Sequence, residues 1–318
     1  MSESILKLIY LENNGGLGNA LRVALDNCSN ELIARMDSDD IAMNRRFELQ
    51  LKWMKKHPET DIVGGDITEF VGDENNIISR RAVPHSNNAI RQGMKSRCPF
   101  NHMTVMYKKT AIAAAGGYQD WFWNEDYYIW IRMMLNGAVM ANLPYDLVNV
   151  RVGNEMSARR GGLKYFKSEE GLQRLMLKEQ IIGLPQYLYN TAIRFGGEVI
   201  APNWLRAKLF RFTRKPVSTV VTATVYNNGD IKPEHRDDQA ENSADLGNNY
   251  TEKKKIAYSP FSVAMSVYKN DNPKWFDRAL ESITSQTVKP DEIVLVVDGF
   301  VPDEIHKVID KYNTLGKS

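Results

Sequence analysis

Cysteine is scarce in this sequence: Cys28 and Cys98 are the only two in 318 residues. Their spacing matches no metal-ligand pattern, and buried, reduced thiols in a cytosolic protein are the expectation. Long apolar runs are lacking too. None reaches the ~18 residues needed to span a bilayer, so any membrane contact is expected to be peripheral. The opening MSESILKLIY does not show the basic, apolar and small-residue regions of a signal peptide. Neither sign of charge is in excess: 41 Lys and Arg against 39 Asp and Glu leave a net +2. Nothing global therefore points to nucleic acid. What remains is an ordinary globular profile, 43% hydrophobic and 25% charged, long enough for one large or two smaller domains.

Against this background one stretch stands out, Arg35-Met36-Asp37-Ser38-Asp39-Asp40. It follows the apolar run Leu32-Ile33-Ala34, which reads as a strand, and crowds three carboxylates at the strand's end. Carboxylates that close repel one another unless a cation neutralises them or water solvates them. A hard divalent ion such as Mg²⁺ or Mn²⁺ takes oxygen ligands, usually one or two carboxylates plus substrate phosphates. Asp37 and Asp39 suit that task; a solvated acidic turn, with Asp40 capping a following helix, is the other reading.

The rest of the chain alternates strands and helices. Ile5–Leu11 reads as a strand. Asn13-Asn14-Gly15-Gly16-Leu17-Gly18 is a glycine-rich turn, suited either to close approach of a ligand or to a tight passage from strand to helix. Asn19–Asn27 and Ile41–His57 have the 3.6-residue apolar period of helices. Asp61–Phe70 and Asn75–Arg81 suggest a hairpin. Cys98–Tyr107, containing His102, reads as a loop feeding a strand, and Thr110–Ala115 as a short helix. Glu125 and Asp126 open an amphipathic helix that runs to Leu135, where the macrodipole favours acids in any case. Val139–Val152 supplies further strand, and 163–182 and 185–195 two more helices. Asn203–Lys215 mixes five basic residues with Trp204, Leu205, Leu209, Phe210 and Phe212. Such a helix either lies in a membrane interface or packs on the body with a solvated basic face. Residues 216–258 have linker composition, polar and poor in large apolar side chains. Strand and helix patterns then resume: Phe261–Tyr268, Trp275–Gln286, Asp291–Asp298 and Pro302–Tyr312.

Strand–helix alternation implies an α/β fold with a parallel sheet covered on both faces and ligands at the carboxyl ends of its strands. The motifs resemble those of family 2 glycosyltransferases of the GT-A fold, in particular bacterial enzymes of exopolysaccharide and O-antigen assembly of the amylovoran-biosynthesis type. FSVAMSVYKNDNPKWFDRALESITSQTVKPDEIVLVVDG resembles the family's first β-α-β unit. IYLENNGGLGNALRVALDNCSNELIARMDSDD resembles the next part and ends in its DXD motif. CPFNHMTVMYKKTAIAAAGGY and the acids after Asn124 resemble its acceptor-side segment and its ED motif. The order differs from the family's, because the unit that should come first comes last. Joining Ser318 to Ile5 restores the family order. The sequence thus reads as a circular permutant with residues 216–258 bridging the old ends, the alternative being a fusion of two neighbouring genes.

The resemblance implies a mainly parallel, Rossmann-like sheet flanked by helices, with residues 1–162 and 259–318 as one catalytic domain and 163–215 as a helical extension. It also implies a single-sugar, inverting transfer from a nucleotide-diphospho sugar, most often a UDP-sugar, to a saccharide or lipid-linked acceptor in bacterial surface polysaccharide synthesis. Ser266, Val267 and Tyr268 would wall the nucleoside, and Asp298 would accept a hydrogen bond from the base. Asn14, Gly15, Gly18, Arg22 and Ser38 would lie near the nucleotide. Asp37 would contact the ribose or a metal-bound water, and Asp39 would ligate Mn²⁺ or Mg²⁺. His102 would add a metal or phosphate contact unless it is an ordinary loop residue. Asp126 would be the general base, kept ionised by its helix start, with Glu125 beside it. The Gln-x-x-Arg-Trp motif of processive members is missing, and Arg159-Arg160 is either a diphosphate contact or a basic loop. The location expected is the cytoplasm, at the inner membrane face if 194–215 makes the peripheral contact. An inactive sugar-nucleotide-binding protein or a fusion remnant is the competing function.

Overall fold

The computed structural model describes residues 5–153, 161–201 and 257–315. Arg159, Arg160, the stretch Asn203–Lys215 and most of the polar linker lie outside them, as does Ser318 with its expected closeness to Ile5.

Among the described residues nine strands form one sheet in the order β1-β9-β8-β2-β6-β4-β7-β3, with β5 paired to β4. They are β1 Leu6–Leu11, β2 Leu32–Arg35, β3 Ile41–Ala42, β4 Ile62–Phe70, β5 Ile77–Arg81, β6 Met106–Lys108, β7 Met140–Arg151, β8 Phe261–Val267 and β9 Glu292–Asp298. The expected parallel arrangement holds for β1, β9, β8 and β2. Beyond them the sheet is mixed, because β6 runs antiparallel to both β2 and β4. Ile41–Ala42 is a two-residue strand on β7, not the start of a helix. The helix begins only at Arg46, after an Arg45 N-cap, so Asp40 caps nothing.

Nine helices are seen among the described residues: α1 Leu17–Asn27, α2 Arg46–Lys56, α3 Asn87–Met94, α4 Lys109–Ala114, α5 Glu125–Leu135, α6 Leu163–Lys178, α7 Leu184–Arg194, α8 Pro273–Thr284 and α9 Asp303–Leu315. Side chains alternate across a strand, so each strand of a sheet covered on both sides must be apolar throughout. The run Ile293-Val294-Leu295-Val296-Val297 shows this. Ile293, Leu295 and Val297 join Phe47, Leu280 and Ile305 of α2, α8 and α9 in one core. Val294 and Val296 join Leu21, Trp130 and Leu172 of α1, α5 and α6 in the other.

The two chain ends interlock. β9 lies between β1 and β8, and β8 pairs with β2 through Phe261↔Leu32 to Ala264↔Arg35. Phe47 and Phe261 meet edge to face at 4.9 Å, and Ser282 Oγ accepts from the Ala42 amide at 3.0 Å. The strands of 6–151 and those of 261–298 thus share one sheet. Leu280 and Ile305 are fully buried, so Leu280→Ala or Ile305→Ala should each cost about 2–5 kcal/mol. In urea unfolding followed by circular dichroism the loss should shift a single transition. A separate early transition that leaves the rest of the chain unmoved would show two independent bodies.

Candidate active site

β2, β8 and β9 end side by side and deliver their last residues to one place. Arg35 pairs with Ala264, and the Met36 amide continues the ladder to the Ala264 carbonyl at 3.2 Å. Asp37, Ser38 and Asp39 thus leave the sheet beside the end of β8. Ser38 Oγ donates to Asp271 Oδ2 at 2.9 Å, and the same oxygen accepts from the Tyr268 amide at 3.0 Å. Ser266, Val267 and Tyr268 therefore lie next to the acidic turn. Asp271 was not singled out in the sequence. Its only signal there was an acid soon after a parallel strand.

One oxygen each from Asp37, Asp39 and Asp40 lies within 4.8 Å of the others. Burial pushes Asp39 up to about 6, with Asp37 and Asp271 adding repulsion. Asp40 is raised further by burial and by its two acidic neighbours. Its Oδ1 accepts from the Arg151 amide at 2.9 Å, which ties the cluster to the end of β7. Two buried guanidinium groups oppose this negative charge. Arg35 grips Asp37 with both terminal nitrogens, one donating to Oδ2 at 2.6 Å. Burial works against the Arg35 charge, yet Asp37 outweighs it and the group stays above its ordinary value. Arg46 reaches the Arg35 carbonyl at 2.6 Å, and burial lowers it to about 9. Three oxygen donors with incomplete compensation suit a hard divalent cation.

His102 is not part of this group. It sits in a buried 3₁₀ turn, His102–Thr104. Its Nε2 is hydrogen-bonded to Tyr118 Oη at 2.8 Å, and Trp130 packs on its ring at 5.8 Å. Burial and the nearby Arg35 hold it well below its usual value. The contact the structure gives its Nε2 is Tyr118, and the acidic group of Asp37, Asp39 and Asp40 does not include it.

The glycine turn is fastened by Asp298. Its Oδ1 accepts from Gly15 N at 2.8 Å and its Oδ2 from Gly16 N at 3.1 Å, while Asn14 Nδ2 donates to its carbonyl at 3.3 Å. Gly299 has φ +81, and a Cβ there would stand 2.8 Å from Asn14 N. Glycine is needed at 299 for both reasons. Both oxygens of Asp298 thus already serve the turn, in addition to the base contact expected of it. Arg22 lies one turn into α1, half exposed, and its partners are Asn19 and Asp26 of the same helix. The structure gives it no contact with the acidic cluster.

The turn also meets α5. A Cβ on Gly18 would lie 3.7 Å from Glu125 Cβ. Burial and Asp126 raise Glu125 to about 7, with opposing influences from Arg35 and Asp37. The helix start thus does not keep Glu125 in the ordinary carboxylate range, because desolvation outweighs the macrodipole here. Asp126 Oδ1 accepts from the Tyr127 amide at 2.7 Å, and the Cys98 thiol donates to its Oδ2 at 3.6 Å. Burial and Asp126 push that thiol up, so it stays protonated. Asn124 fixes the helix start from outside, its Nδ2 donating to Ser168 Oγ of α6 at 3.1 Å. The acidic cluster, the glycine turn and the two acids of α5 therefore form one site at the carboxyl end of the parallel strands.

The likeness to known proteins follows these motifs. The Glycosyl transferase family 2 model matches residues 2–115. An uncharacterized glycosyltransferase of Haemophilus influenzae is 44% identical over 210 residues, 66% of this chain and 78% of the relative. The amylovoran biosynthesis glycosyltransferase AmsE of Erwinia amylovora is 43% identical over 172 residues, 54% of this chain and 64% of its own. The UDP-Gal:alpha-D-GlcNAc-diphosphoundecaprenol beta-1,3-galactosyltransferase of Escherichia coli is 37% identical over 192 residues, 59% and 68% of the two chains. An identity of 44% across more than two thirds of a relative, on a chain whose acids and glycines converge as described, settles the kinship: this protein belongs to glycosyltransferase family 2.

Proposed function

We propose that this transferase moves one sugar from a nucleotide-diphospho sugar, a UDP-sugar by preference, to a saccharide or lipid-linked acceptor in bacterial surface polysaccharide synthesis, with inversion at the anomeric carbon. The observation that carries the proposal is the convergence of Asp37, Asp39 and Asp40 with Glu125 and Gly18. One relative's name gives both donor and acceptor, UDP-Gal and a GlcNAc-diphosphoundecaprenol. The chain order supports a circular permutation of the family fold, since β8 and β9 take sheet positions between β1 and β2.

Asp39 and Asp37 would hold Mn²⁺ or Mg²⁺, with Asp40 behind them. A bound divalent cation supplies charge to the departing diphosphate. Arg35 keeps Asp37 aimed. Ser266, Val267 and Tyr268 wall the nucleoside. The acceptor hydroxyl gives its proton to an acid of α5 as its oxygen attacks the anomeric carbon. By the family's pattern that acid is Asp126. A second reading favours Glu125, which stands against Gly18 and is raised to about 7. The competing function, an inactive sugar-nucleotide binder, would keep the cation and the nucleotide but not the transfer.

Asp39 is protonated below about 6 in the metal-free fold. Its raised value means that folding favours the acid form, so metal-free stability falls as pH rises from about 4 through about 6. A cation removes that cost. Mn²⁺ should therefore raise the melting temperature more at pH 7.5 than at pH 5, and little in Asp39→Ala. An equal rise in both proteins would move the metal elsewhere.

The base is tested separately. Asp126→Asn should cut sugar transfer about 10²–10⁴-fold while the Mn²⁺-dependent thermal shift with UDP is kept. If Glu125→Gln causes that loss and Asp126→Asn does not, Glu125 is the base. If neither does, the protein does not use this site for transfer.

A further inference from the structure

α7 is built inside out. Its polar side chains face the body. Tyr187 Oη donates to Glu170 Oε1 at 2.6 Å, and Asn190 Nδ2 donates to Gln173 Oε1 and the Lys95 carbonyl, both at 2.8 Å. Arg194 pairs with Glu169 at 2.7 Å and donates to the Ser96 carbonyl at 2.7 Å. Its large apolar side chains face outward: Leu184 is 57% exposed, Leu188 57%, Tyr189 65% and Ile193 55%. At about 100° per residue these four occupy the half of the helix opposite Tyr187, Asn190 and Arg194. The π-helical turn Phe195–Ile200 continues the face, with Ile200 69% exposed. An amphipathic surface helix ordinarily turns its apolar stripe inward, and a contiguous apolar patch facing out marks an interaction site.

We propose that this face, from Leu184 to Ile200, docks the enzyme on an anionic lipid bilayer surface. The proposal rests on the lipid-linked reading of the acceptor. Charge complementarity names the occupant: the sequence from Asn203 to Lys215 carries Arg206, Lys208, Arg211, Arg214 and Lys215 and no acid. Apolar insertion beside basic residues is the chemistry that holds interfacial helices to anionic headgroups. A second copy of the chain suits the face less well, since a stable dimer buries about 20–30 residues a side. The connection to the site gives the docking its purpose. α7 is bonded to α6, α6 holds the loop before the acids through Ser168, and Trp121 Nε1 donates to the Ser168 carbonyl at 3.1 Å. Docking through α7 therefore anchors the segment that presents Glu125 and Asp126 at the surface where a lipid-linked sugar would be.

Flotation of the full chain on vesicles of phosphatidylglycerol and phosphatidylethanolamine tests this. The protein should float with these and not with phosphatidylcholine vesicles. Leu188→Glu combined with Ile193→Glu should lower the bound fraction at least tenfold. Mn²⁺-dependent hydrolysis of UDP-sugars without vesicles should be unchanged in that variant, which also shows that it is folded. Failure of the parent protein to float, or equal flotation of the variant, overturns the proposal. So does a dimer in sedimentation that the double substitution dissociates, since the face would then serve a second copy. Vesicle binding without any UDP-sugar turnover would instead overturn the transferase reading and leave the docking intact.

Discussion

The acidic turn can exist only because two guanidinium groups lie beneath it. Three carboxylates within a few ångströms repel one another strongly in a partly dry setting. Arg35 answers Asp37 directly, and Arg46 backs the Arg35 carbonyl from α2. Neither arginine is free to leave, because burial without the acids would cost several kcal/mol. Acids and arginines are thus stable only together, and the end of β2 is set by that mutual need. The compensation is incomplete, and the remainder shows as the raised Asp39 and Asp40. A site left short of positive charge is prepared for a cation.

The same dependence joins the two ends of the chain. Ser38 reaches Asp271, Glu74 is held by Arg278 through two bonds at 2.9 Å, and Asp298 holds Gly15 and Gly16. Each of these contacts spans more than two hundred positions of sequence.

Much of this was legible in advance. The apolar runs at 261–267 and 292–298 declared strands covered on both faces, and Asp298 at the end of the second, with the acids after Leu32–Met36, declared where a site would be. The short strand Ile41–Ala42 was not legible, since an apolar pair before a helical pattern reads as helix until β7 is there to pair with it. The burial of His102 was not legible for a related reason. A histidine in a loop gives no sign that Tyr118 and Trp130 will close over it. Asp271 was visible as a residue but not as the partner of Ser38, because a contact across 233 positions of sequence has no local signature. The inverted face of α7 was hidden as well. Its apolar residues follow a helical period, and a period does not say which side faces the body.

Asp298 has one further consequence. A run of backbone N–H groups in a glycine turn is a common seat for phosphate oxygens. Here a carboxylate of the protein already occupies that seat. The turn behaves as a protein that carries its own built-in anion, satisfied before any substrate arrives. It is a clasp rather than a cradle, closed by the protein's own carboxylate.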